Sequence, residues 1–310
     1  MHAAKVTCPV PEKTAKTLIF LGARPYNFVK HLIMKFILIT TLLLLRPSCC
    51  VPQFTTRAGY LQYIGAGIYS RNFTDVFSFT NNQASLSQVK VPTVGVCSEK
   101  RFLLKELTAF SAALGLPVSA GAIGVSASYF GFAAYNLSAV GLAYGRAVGK
   151  SADLGIQFNY NRMSITGYGQ AAALFFEVGA VFHLTEKLHA GCHLFNPAGL
   201  GKFGTLGEKV PPAYTIGYGY EVSDKVLISG EIIKKDLQPV FLRLAFLYAF
   251  EKWFGMRGGL ASADGQAFFG AGLTKKNTRL DFSASWHPQL GITPSILLIF
   301  ALRADPETSE

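Results

Sequence analysis

Three histidines and a scatter of acids and arginines are the residues best equipped for chemistry in this chain. His189 and His193 share one phase of an alternating segment, with Gly191 between them. At about 3.3 Å per residue they stand about 13 Å apart and cannot chelate one metal ion by themselves. His183, at the end of the preceding segment, can approach His189 across a hairpin, and the pair is expected in a polar network rather than a metal site. Asp153, Glu177, Glu221, Glu231, Arg243, Arg279 and Asp281 fall on the polar phase of their own segments. Such charges on neighbouring strands pair, and either hold a narrow lumen shut or tune its selectivity. Nucleophilic catalysis needs a nucleophile beside a base, and no GxSxG or equivalent context occurs. The stretches "GAG" (65–67) and "GAGL" (270–273) precede no helix, so they make no phosphate cradle. The expectation is a protein that is not an enzyme, with no catalytic residue, no metal and no cofactor.

The elements that must position these groups are strands. In "DLGIQFNYN" (153–161), Leu154, Ile156, Phe158 and Tyr160 alternate with Gly155, Gln157, Asn159 and Asn161. That period of two gives a sheet one apolar and one polar face. The same pattern recurs from about Thr93 to Leu302, and the spacing predicts 14 strands. They fall at 93–102, 106–115, 120–131, 136–148, 151–163, 170–184, 187–196, 210–222, 225–236, 238–250, 254–262, 265–275, 278–287 and 293–302. Gly149-Lys150, Thr185-Glu186-Lys187, Ser223-Asp224-Lys225 and Lys276-Asn277 suit hairpin turns, so consecutive strands pair antiparallel. The interval from Asn196-Pro197 to Pro211-Pro212 reads as an external loop.

So long a meander must close or split, and its apolar faces need an apolar environment. The polar phase is rich in Gly, Ser, Thr, Gln and Asn, as suits a lumen partly filled by side chains. Aromatic residues of the apolar phase (Tyr129, Tyr144, Tyr160, Tyr220, Tyr248, Trp286) suit interfacial girdles. The fold expected is all-β: an antiparallel, up-and-down transmembrane β-barrel, with a soluble exported β-sandwich binding module as the alternative. Leu154, Ile156, Phe158 and Tyr160 then face lipid, and Asp153, Gln157, Asn159 and Asn161 face the lumen. Phe175, Phe195 and Phe268 also fall on the inward phase and narrow it.

Half of the 310 residues are apolar, 15% are charged, and mean hydropathy is +0.30. Apart from one segment, no apolar run approaches the roughly 18 to 20 residues of a spanning helix. That segment, "MKFILITTLLLLRPSCC" (34–50), has a basic start, an apolar stretch from Phe36 to Leu45, and small residues before Val51, the marks of a secretory signal peptide. Residues 1–33 read as an upstream extension, with translation starting at Met34. Residues 51–92 read as a segment preceding the barrel, 93–302 as the barrel and 303–310 as a polar tail. Without residues 1–50, the chain holds 22 basic and 17 acidic residues, a balance of +5 in place of +11, so nucleic acid is not expected as a partner. Cys97 and Cys192 have no ligand spacing and read as small residues on strand faces.

The segment "RAGYLQYIGAGIYSRNFTDVFSFTNNQASLSQVK" (57–90) carries Gly59, Gly65 and Gly67, then Asp75, Phe77 and Asn82-Gln83-Ala84. It resembles the N-terminal region of FadL-like outer-membrane barrels, above all the PorV/PorQ-type members of Bacteroidota. Asn82, Gln83 and Ala84 stand where that family has an "NPA"-like element, with Gln83 in place of Pro. Ser98 to Leu107, "HLFNP" (193–197), "SDKVLISGEI" (223–232) and "SWHPQLGITPSILLIF" (285–300) look similar to the same group. The resemblance implies an exported barrel of about 14 strands in the bacterial outer membrane, bounded by its lipid, with the N-terminal segment entering the lumen as a hatch. It implies two functions. One is a scaffold barrel of type IX secretion that binds a secretion-system protein or its cargo. The other is a FadL-like channel for a small hydrophobic ligand.

Overall fold

The computed structural model describes residues 64–203, 208–236, 238–263 and 265–302. The expected leader, the upstream extension and the polar tail lie outside them. Fourteen strands close into one antiparallel barrel. In chain order they are β1 (Thr93–Lys100), β2 (Thr108–Val118), β3 (Gly121–Phe132), β4 (Tyr135–Val148), β5 (Ala152–Ile165), β6 (Gly169–His183), β7 (Leu188–Phe195), β10 (Ala213–Ser223), β11 (Val226–Lys235), β12 (Phe241–Glu251), β13 (Phe254–Ala261), β14 (Gln266–Lys275), β15 (Thr278–His287) and β16 (Gly291–Ala301). A small separate hairpin, β8 (Lys202–Phe203) with β9 (Glu208–Lys209), interrupts the meander between β7 and β10. Each barrel strand pairs with its sequence neighbour, β7 pairs with β10, and β1 against β16 closes the ring. No edge is left, so every strand's backbone groups are paired, as lipid requires.

Alternation decides which side chains face in. Along β5, Leu154, Ile156, Phe158 and Tyr160 are exposed while Asp153, Gln157, Asn159, Asn161 and Met163 are buried. The outer surface is correspondingly apolar, with Leu174, Ile216, Phe246, Leu260, Phe282 and Trp286 among its exposed members. The connections at 119–120, 149–151, 184–187, 224–225, 252–253 and 276–277 are all short and lie at one end, and the longest connections, 101–107 and 196–212, lie at the other.

Two elements differ from the sequence expectation. Strand β1 stops at Lys100 because Phe102 and Leu103 take φ of 52° and 60°, which turns the chain out of the ladder. The 196–212 connection is not a free external loop. Asn196 Nδ2 donates to the carbonyls of Leu200 and Val210 at 2.7 and 2.6 Å, which ties the two ends of the connection together. Phe203 and Val210 thereby pack with Phe130, Leu137, Met163, Phe175 and Phe195 in an apolar cluster at the long-loop end.

Candidate functional site: a plug fastened inside the barrel

Residues 64–90 occupy the other half of the lumen. Three short 3-10 helices, Ile64–Gly67, Ser78–Thr80 and Gln83–Gln88, form this plug. Its apolar side chains Val76, Phe77, Phe79 and Leu86 are almost wholly buried against wall residues such as Ala113, Ala143, Leu247 and Leu297. Local polar contacts set its turns. Asp75 Oδ1 accepts from the Phe77 backbone N–H at 3.0 Å. Asn82 Oδ1 accepts from the Ala84 N–H at 3.1 Å, capping the last helix. Gln83 thus sits at the first helical position, where a proline would also fit. The glutamine adds what proline lacks: its Nε2 donates to Glu177 Oε2 at 3.0 Å.

The wall opposite this turn is built of glycine. A Cβ at Gly155 would lie 2.5 Å from the Gln83 carbonyl oxygen and 2.6 Å from the Ala84 nitrogen, and one at Gly179 would overlap the Asn82 side chain. Only a residue without a side chain lets the plug backbone come so near.

Four polar clusters then tie plug to wall. Glu177 is the hub of the first, accepting from Asn159 Nδ2, Gln83 Nε2 and His193 Nε2 at 2.9, 3.0 and 2.9 Å. In the second, Tyr69 Oη donates to Glu231 Oε1 at 3.3 Å, and Arg243 lies 2.9 Å from the other oxygen. Burial and the neighbouring Glu231 push the Tyr69 phenol well above its ordinary range, so it remains a neutral donor. The third joins Asp75 of the plug to Arg257, Arg279 and Asp281. Asp281 Oδ2 is 2.8 Å from Arg257 and 2.6 Å from Arg279, whereas Asp75 stands at 4.0 and 3.6 Å from the same guanidinium groups. The fourth runs as a chain. Gln88 Nε2 donates to Asp153 Oδ2 at 2.8 Å, His183 Nε2 is 2.9 Å from that oxygen, and the Nδ1 atoms of His183 and His189 are 2.9 Å apart. His189 Nε2 faces Glu221 Oε1 at 3.4 Å, and Glu221 accepts from Ser70 Oγ, the Arg71 N–H and Asn72 Nδ2 at 2.6, 2.8 and 2.5 Å.

All ten wall residues singled out from the sequence take part in these contacts. The expectation that charges on neighbouring strands pair holds for Glu231 with Arg243, Glu177 with His193, and Asp153 with His183, whereas Arg279 pairs with Asp281 along the same strand. Much of their bonding goes instead to the plug, which sequence phase alone does not reveal. Among the described residues no group of three or more His, Cys, Asp or Glu is arranged to hold a metal ion. Sequence reasoning missed Tyr69, Ser70, Asn72, Gln88 and Arg257. The inward phase of β13 would have found Arg257 had Gly255, Gly258 and Gly259 not blurred the alternation.

The third cluster separates a strong anchor from a weak one. Asp281 is the carboxylate nearest both guanidinium groups, so Asp281→Asn is expected to cost about 3 kcal/mol. Asp75 behaves differently. Burial pushes its carboxyl up from the ordinary range, opposed by Arg279 and aided by Asp281. A carboxyl that is harder to ionise when folded contributes stability below its unfolded pKa, and that contribution is lost as pH rises through the folded value. Asp75→Asn should therefore stay within about 1 kcal/mol at neutral pH and remove that acid-side gain. Denaturant unfolding in lipid vesicles across pH measures both, and equal costs for the two variants would contradict the assignment.

No family model matches the chain, and no curated protein matches it in sequence. Solved structures do. The Ralstonia pickettii toluene transporter TbuX aligns with a TM-score of 0.57 and 10% identity, over 74% of this chain and 94% of that one. A Pseudomonas aeruginosa FadL homologue gives 0.55 and 12%, over 83% and 100%. The P. putida toluene transporter TodX gives 0.54 and 9%, over 79% and 100%. At such identities the likeness establishes the fold alone: a closed antiparallel transmembrane β-barrel.

Proposed function

We propose that this protein is an outer-membrane channel for the uptake of small hydrophobic molecules, and not an enzyme. The observation that carries this reading is the division of the lumen. Its long-loop half is filled by an apolar cluster in which Phe130, Leu137, Met163, Phe175 and Phe195 pack with Phe203 and Val210, surroundings suited to an apolar solute once that packing opens, and its other half is closed by a plug held through polar contacts. A solute partitions into the apolar half by the hydrophobic effect, and its passage requires the plug to shift. In outer-membrane barrels short turns face the periplasm and longer loops the outside. The apolar half would thus meet the solute first and the plug would guard the periplasmic exit. Two of the similar structures are toluene transporters by name. A secretion scaffold, the other function implied by the sequence motifs, has no counterpart among those three structures, and Phe203 and Val210 of the 196–212 connection are buried rather than free to bind a protein.

Labelled toluene uptake by bacteria producing the protein tests the reading. Uptake several-fold above cells with an empty vector is expected, with no steady ion conductance from purified protein in planar bilayers. Assembled barrel in the outer membrane with no gain in uptake would overturn it.

A further inference from the structure

The geometry points to the His183–His189 pair as a proton-counting latch that fastens both ends of the plug and releases it when both rings are charged. The inference rests on the plug being the moving part of the channel. The chain of contacts starts on Gln88, at the end of the plug, crosses Asp153 on β5, His183 on β6, His189 on β7 and Glu221 on β10, and finishes on Ser70, Arg71 and Asn72. It is buried: Asp153, His189 and Glu221 are 2%, 0% and 4% exposed.

Between two Nδ1 atoms 2.9 Å apart there is room for one proton, with one nitrogen donating and the other keeping its lone pair. With both rings neutral, His183 Nε2–H donates to Asp153 and His189 Nδ1–H donates to His183 Nδ1. His189 Nε2 then turns a lone pair toward Glu221 Oε1, 3.4 Å away. A proton placed on His189 Nε2 makes it a donor to the Glu221 carboxylate and tightens the chain. A second has only the His183 Nδ1 lone pair to take. It sets two N–H bonds end to end and two cationic rings in contact, with ring centroids 4.8 Å apart. The charged groups facing the pair are Asp153 from β5, Glu221 from β10 and Arg71 from the plug, whose guanidinium donates to the Lys150 carbonyl at 2.8 Å. Two carboxylates can balance one imidazolium and Arg71, but not two imidazoliums and Arg71 together, so the doubly charged pair parts and takes the plug ends with it.

Hydrogen exchange of residues 70–88 tests this on the full chain in lipid nanodiscs, corrected for the intrinsic pH dependence of amide exchange, with the barrel strands as reference. Wild type is expected to lose about tenfold of its plug protection between about pH 7.5 and about pH 4.5. The His183→Gln/His189→Gln variant should keep the same protection at both, because no imidazole is left to charge, while the carboxylates elsewhere titrate in both proteins alike. If that variant does not assemble, His189→Gln alone carries the same expectation. Undiminished protection of wild type in acid, or an equal loss in the variant, would overturn the latch. The readout needs no solute. An acid-labile plug in a barrel that takes up no toluene would sink the transport reading and leave the latch standing, and uptake through a pH-blind plug would do the reverse.

Discussion

Gly155→Val is expected to expel the plug from the lumen while the barrel still assembles. The first atom of any side chain at this position meets backbone, the Gln83 carbonyl and the Ala84 nitrogen, which have no rotamer to change. The plug cannot slide aside either. A Cβ at Gly145, on the neighbouring strand, already lies only 2.5 Å from the same carbonyl oxygen and 2.7 Å from the Leu86 Cβ, and Gly179 is covered by Asn82. Overpacking a fitted interior costs about 1 to 3 kcal/mol. Here the displacement also breaks the Gln83–Glu177 contact and leaves that buried carboxylate with fewer partners. The strand itself does not suffer, because valine is a better strand former than glycine. The variant should therefore show normal heat-modifiable migration on a gel, rapid protease cleavage between residues 64 and 90, and a steady ion conductance that wild type lacks. Gly255→Val is the control, since the nearest atom to its Cβ is 3.4 Å away. A protease-resistant plug in Gly155→Val would contradict the close approach.

The second large effect is on the outside of the same strand. Ile156 is 37% exposed, lies between the exposed Leu154 and Phe158, and pairs across the sheet with Tyr144 and Val178. In a soluble protein an outward charge here would be harmless. In a barrel whose outer face meets lipid, Ile156→Arg is expected to cost about 2 to 4 kcal/mol if the site lies near the bilayer midplane. The arginine can reduce this by reaching toward the headgroups, so the effect should shrink for the same change nearer a strand end. Folding into lipid vesicles under denaturant measures it, and an unchanged midpoint would mean that the apolar face of β5 does not touch hydrocarbon.

The wall of the barrel was legible because period two is a local property. β5 is expected at 151–163 and runs from 152 to 165, and its two faces follow directly from where Leu154 and Gln157 stand in the alternation. β7 and β15 read as clearly for the same reason. The plug was not legible in that way. Its 3-10 turns have no sustained period, and Val76, Phe77, Phe79 and Leu86 take their places from the cavity they fill rather than from any pattern of their own. The partners that complete the site suffer most from this: Ser70 meets Glu221 across 151 residues and Gln88 meets Asp153 across 65, and no local signal links such pairs. The family-like Asn82-Gln83-Ala84 element did mark a turn that wall glycines surround. The 196–212 connection misled because its Pro and Gly content describes turn chemistry, which it has, and says nothing of where Phe203 and Val210 go.

The central claim is that hydrophobic solutes cross this barrel only when the plug moves. A disulfide between Val76→Cys on the plug and Gly115→Cys on β2 tests it most directly, in a background with the other cysteines replaced. A Cβ at Gly115 lies 3.4 Å from the Val76 Cγ2 position, close enough for a bridge. With the bridge oxidised, toluene uptake should fall to the level of cells lacking the protein and return on reduction. Uptake as fast through the locked barrel as through the reduced one would contradict the account.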